Sequence, residues 1–206
     1  MLLPQIFWTG ISIAYWSGLA AIIIVRTIPN EDSSDQLIAS LLALSVLGLG
    51  EMVGSLAMSM IVDKISNKAG VYTNVINMIF VWLFSFLMIR ENTQGILIYT
   101  FTFSWGFMDG SVNTHTQQIL GFEFDTSQDP FSVFTSVQAI GTVIFQLSQS
   151  ALDTDSASSL QLYTAIVCVM GLLMMAVTFF FDFRYVEGGN ETTQQQSDMA
   201  RSNEAL

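Results

Sequence analysis

The chain has 206 residues, 51% of them hydrophobic and only 11% charged, where a soluble domain carries about 25% charged residues. Six basic residues face seventeen acidic ones, a formal net charge of −11, so no basic patch exists for nucleic acid or for anionic lipid headgroups. With a mean hydropathy of +0.54, the composition points to an all-α, multi-pass membrane protein.

Six apolar runs come near the roughly 20 residues needed to cross a 30 Å hydrocarbon core. They cover residues 2–25, 37–62, 71–89, 96–122, 131–152 and 160–181. The first lacks the basic start of a signal peptide and is long for its apolar core, so it reads as an uncleaved span. Polar connections are expected at Arg26–Gln36 with Pro29, Asp63–Gly70, Arg90–Gly95, Glu123–Pro130 and Asp153–Ser159. Pro130 suits the first turn of the fifth helix. Residues 1–183 thus form one membrane unit, and residues 184–206 read as a polar, disordered tail. The lone Cys168 lies in an apolar run and reads as a buried thiol, with no disulfide or metal site.

Lys64, Lys68, Arg184 and Arg201 fall on one side of a six-span topology, Arg26 and Arg90 on the other. That bias places both termini on the cytoplasmic or equivalent side of a plasma or organelle inner membrane. The sequon at Asn190 would then lie on the wrong side for glycosylation. Two sets of three spans would be related by inversion, as in many transporters.

The fourth span carries the most chemistry. Its first half is apolar, and its second holds Asp109, Asn113, His115, Gln117 and Gln118 with no base nearby. At about 100° per residue, Asp109, Asn113, Thr116 and Gln117 share a face with Gly106 and Gly110. A carboxylate at mid-membrane costs about 2.5–3.5 kcal/mol on insertion scales, so that face should meet protein or water. Glu51 lies mid-span in the second run, on a narrow face with Gly48, Ser55 and Ser59, at a depth similar to Asp109. These acids form either a proton- or cation-coupled site or helix–helix hydrogen bonds beside close-packing glycines. Tyr15, beside Ser12, Trp16 and Ser17, sits mid-span and would pack or line a cavity. His115 lies on the opposite side from Asp109 and reads as a packed, hydrogen-bonded histidine.

Taken together, these segments resemble the "uncoordinated ninety-three" (ion-channel-regulatory-like) branch of the major facilitator superfamily. Asp63, Lys64 and Lys68 are similar to that superfamily's short acidic–basic loop motif, although Ser59 and Ser66 stand where it prefers glycine. More specific is the run from Trp105 to Gly121. There Gly106-x-x-Asp109 is followed by Asn113-Thr114, then Gln117, then Leu120-Gly121, with Thr114–Thr116 intruding on the branch's Asn-Thr-Gln. Ile6–Gly18, Gly48–Gly54 and Pro130–Gln138 resemble further segments of the branch in the same order. The likeness extends over residues 2–183 and covers only the C-terminal six of the family's twelve spans.

The resemblance implies one half-bundle of three plus three helices, with spans 1 and 4 lining a cavity and spans 3 and 6 peripheral. Besides membrane lipid, it implies a partner over spans 1 and 4: a second six-helix bundle, from a homodimer or a separate chain, or a larger membrane complex. The expected cavity or docking residues are Asp109, Asn113, Thr116, Gln117, Gly106, Gly110, Glu51, Tyr15 and Ser12. The expected function is transporter-like or channel-regulatory, or else that of a non-catalytic accessory subunit. No catalytic residue, metal or cofactor is expected, because no nucleophile–base set, HExxH or phosphate loop is present.

Overall fold

Every apolar run folds as a helix in the computed structural model, which describes residues 2–26, 33–91, 96–124, 128–154 and 156–183. Those residues contain no strand. The helices are α1 (residues 3–26), α2 (Ser33–Lys64), α3 (Asn67–Glu91), α4 (Ile96–Glu123), α5 (Gln128–Ser150) and α6 (Ala157–Phe179). Five of them, α1, α2, α3, α5 and α6, are long and apolar enough to cross a membrane. The chain is therefore a multi-pass membrane protein. The expected fourth span, α4, has the length at 28 residues, but its polar second half leaves it short of the required apolarity.

Helix ends differ from the sequence expectation mainly because the connections are shorter. Residues 33–36, read as loop, already belong to α2, and the expected Asp63–Gly70 connection shrinks to Ile65 and Ser66. Asp63 and Lys64 end α2 and Lys68 begins α3, where Lys64 complements the negative C-terminal end of the helix dipole. Ser66 caps α3 by accepting the Ala69 amide at 3.1 Å, and Ser156 caps α6 by accepting that of Ser159 at 3.3 Å. Residues 125–127, 155 and the expected tail from Arg184 lie outside the described residues, as does the sequon at Asn190.

α1 is interrupted. It is α-helical over Leu3–Ala14, π-helical over Tyr15–Ala20, and α-helical again over Ala21–Arg26. Widening a helix displaces carbonyls from their usual amides. Here the Ala14 carbonyl accepts side-chain bonds from Gln149 Nε2 of α5 at 2.8 Å and from Ser17 Oγ at 3.4 Å, so α5 is tied to the start of the wide turn.

Contacts between named residues fix the helix directions. On α4, Thr116, Asp109 and Trp105 meet Gln5, Ser12 and Tyr15 of α1 in that order, so α1 and α4 are antiparallel. α2 runs parallel to α4, and α5 parallel to α1. α3 opposes α4 through Asn74–Ser111 and Ser85–Trp105, and α6 opposes α1 through Trp8–Gly171 and Tyr15–Thr164. Consecutive helices thus alternate in direction.

The main packing pairs are α2 on α4 and α1 on α5, then α3 on α4 and α6 on α1, with α3 also against α6. This scheme is unchanged when the first three helices are exchanged with the last three. Burial follows the centre of the scheme: 61% of the best apolar window of α1 is buried, against 22% in α2 and 17% in α5. α3 and α6, expected to be the peripheral pair, are more enclosed than α2 and α5.

Glycine makes the α2–α4 seam possible. A Cβ on Gly50 or Gly54 would run into the backbone of Phe103 or Phe107 of α4, and one on Gly106 or Gly110 into that of Leu47 or Glu51 of α2. Two Gly-x-x-x-Gly runs therefore interlock, as close-packed membrane helices require. The larger core cluster is centred on Tyr15 and Trp105. A smaller one at one end of the bundle joins Leu2, Ile6, Val71, Ile119, Leu120, Phe134 and Phe183. The first and last described segments therefore meet at the same end.

Candidate functional site

Asp109 is 6% exposed and is engaged inside the chain. Ser12 of α1 donates to its Oδ1 at 2.7 Å, and Asn113, one turn further along α4, donates to its Oδ2 at 3.1 Å. The network continues to α5, where Gln138 Nε2 donates to Asn113 Oδ1 at 3.2 Å and to Thr9 Oγ1 at 3.0 Å. Nearby, Gln5 Nε2 donates to Thr116 Oγ1 at 2.7 Å, while Gln5 Oε1 is buried without a partner. Thr142 of α5 donates to the Gly10 carbonyl at 3.0 Å. Three helices are thus tied by one polar seam, satisfied almost throughout, as burial in hydrocarbon demands.

The expected single face of α4 divides between two neighbours. Asp109 and Thr116 turn to α1, whereas Gly106 and Gly110 turn to α2. Asn113 is half-buried, and Gln117 is exposed. Ser12 belongs to the site as Asp109's donor. Tyr15 does not: it is wholly buried, stacked on Trp105 with ring centroids 4.4 Å apart, and hydrogen-bonded to Thr164 at 2.9 Å. Trp105 in turn donates to Ser85 of α3 at 3.0 Å. Tyr15 is therefore a junction of α1, α4 and α6 rather than a cavity wall.

Glu51 stands level with Asp109, since its backbone faces Gly110. Its carboxylate is half-buried. Asp63, Lys64 and Lys68 lie at the α2–α3 connection, well away from both acids.

The back of α4 holds a second polar group. Ser111 donates to Asn74 Oδ1 at 2.7 Å, and Asn74 Nδ2 lies 3.3 Å from His115 Nδ1. The His115 ring fills the space beside Gly70, where a Cβ would come within 2.9 Å of Nε2. His115 is a packed, hydrogen-bonded histidine, as its position predicted. Cys168 is free and buried. Among the described residues, no three His, Cys, Asp or Glu side chains are grouped to hold a metal.

Sequence reasoning did not single out Gln5, Thr9, Gln138 or Thr142 as site residues. Their signal was available: Gln5, Thr9 and Ser12 recur at helical spacing on one side of α1, as do Gln138, Thr142 and Gln149 on α5. Chemically, the seam can orient a carboxylate and hold three helices in register. It reaches the surface through its half-buried members, Asn113 and Gln138. No family model matches the chain, and no curated protein or solved structure matches it either.

Proposed function

We propose that the chain is a transporter-like or channel-regulatory membrane protein of the major facilitator type, with α1–α6 forming one half-bundle that works with a second. The supporting observation is the exchange of packing partners between α1–α3 and α4–α6 with reversed direction. Transporters built from inverted three-helix units have this arrangement. In this reading α4 crosses the membrane beside α2, and both ends of the chain lie on the cytoplasmic side. Gly48, Gln117, Thr135, Ser136 and Gln146 are exposed at helix positions between the membrane surfaces, where lipid is a poor neighbour for amides and hydroxyls. A second bundle supplies what those faces lack, since alternating access needs two bodies that rock about a midplane site. The chain has no enzymatic role in this reading.

One observation favours a second reading, a non-catalytic accessory subunit of a larger membrane complex. Both oxygens of Asp109 are taken by donors within the chain, an arrangement suited to holding helices together. Particle mass in mild detergent tests the shared premise: we expect at least twice the 22.8 kDa of the chain, and a stable monomer refutes both readings. Asp109→Asn then separates them. Loss of substrate flux with an intact particle supports transport, and loss of the particle supports the accessory role.

A further inference from the structure

The glycines of α2 have two different surroundings. Gly50 and Gly54 are explained by the backbone of α4, whereas a Cβ on Gly48 would meet nothing within 4 Å. At about 100° per residue, Gly48 lies on the side of α2 that also carries Ser45, Glu51, Met52 and Ser55. Glu51 has no hydrogen-bond or ion-pair partner among the described residues, and both oxygens of the neighbouring Asp109 are already taken by Ser12 and Asn113. The closest base on its own helix is Lys64, about 20 Å along the axis at 1.5 Å per residue, far beyond the reach of either side chain. Lys68 and Arg90 lie at the two ends of α3. The bases of the described helices, Arg26, Lys64, Lys68 and Arg90, all stand in a first or last turn.

We infer that this face of α2 docks a transmembrane helix of a different protein, one that carries a lysine or arginine at the depth of Glu51. The small groups at positions 45 and 48 let that helix approach closely, as small residues do in membranes, while Ser55 is turned to the Gly110 carbonyl of α4 at 3.3 Å. A carboxylate held at this depth is satisfied by an opposite charge. The described helices of a second copy do not supply it, because at that level they bring another Glu51 and no base. The inference rests on the proposed need for a second bundle and specifies its chemistry: a heteromeric partner, basic where this chain is acidic.

The test uses the full chain in its native membrane, with a photo-crosslinking residue in place of Met52, which is 56% exposed beside Glu51. The expected crosslink is to a transmembrane segment of another protein with Lys or Arg within one helical turn of the attachment point. Glu51→Gln should then lower recovery of that complex about tenfold or more, and reversing both charges should restore it. Slow maleimide labelling of Cys168 in the variants verifies that the bundle is still folded. A crosslink to a second copy, or to a segment without a base, overturns the inference and leaves the second-bundle proposal standing. Crosslinks to lipid alone also overturn the inference, and the particle mass then decides the second-bundle proposal.

Discussion

Substituting Gly106 by alanine puts the α2–α4 seam under direct test. The new methyl would overlap the Leu47 carbonyl and lie 3.0 Å from the Glu51 nitrogen. Both neighbours are backbone, so no side chain can swing aside. Relief requires the helices to part by about 1 Å or more, which forfeits about half of the dispersion energy of each contact along the seam. Overpacking of this kind costs about 1–3 kcal/mol. Gly121, on the same helix, has nothing within 4 Å of its Cβ position, and Gly121→Ala should gain about 0.5–1 kcal/mol from reduced chain freedom. Reversible unfolding in mixed micelles, followed by helicity as the denaturing detergent fraction rises, should separate the two variants by roughly 1.5–4 kcal/mol. If Gly106→Ala proves as stable as Gly121→Ala, the two glycine pairs do not form the seam.

Three further outcomes follow from the polar network and the core. Ser12→Ala removes one of Asp109's donors and should destabilise the bundle by about 0.6–1.7 kcal/mol, the range measured for hydrogen bonds between membrane helices; Ser12→Thr should restore most of that loss in the same unfolding assay. Tyr15→Phe keeps the stack on Trp105 and loses only the Thr164 bond, about 0.6 kcal/mol, whereas Tyr15→Ala also opens a cavity and should cost about 3–5 kcal/mol. Cys168, 2% exposed, should resist maleimide in the folded protein and react readily after denaturation; rapid labelling of the native chain would contradict its place in α6.

The sequence revealed much of the bundle because membrane helices are written as long apolar runs, and each such run became a helix. It also identified the buried acid of α4 and the glycines beside it. What it could not supply was which neighbour each side of α4 meets. Placing Asp109 and Gly106 on one broad face was sound as geometry, yet two helices, α1 and α2, share that face. The same limit affected Tyr15. Its mid-span position fitted a cavity wall as well as a packed junction, and only the positions of Trp105 and Thr164 decide between them. The connections were drawn too long because Asp63, Lys64 and Lys68 are charged, although charged residues serve well in the last and first turns of helices. Gln138 and Gln149 share one side of α5 by their spacing, but which helix that side meets is given only when α5 is set against α1.

The wide turn at Tyr15–Ala20 has a consequence for how α1 can change. A π-helical turn accommodates one residue more than the ordinary pitch allows. Removing a single residue there would restore regular pitch while Ala21–Arg26 kept their present sides toward the core. The same deletion in the uninterrupted α2 would rotate everything beyond it by about 100° and pull Gly50 and Gly54 off α4. In α1 the loss of one residue is absorbed at that turn, next to the point where Gln149 of α5 grips the Ala14 carbonyl.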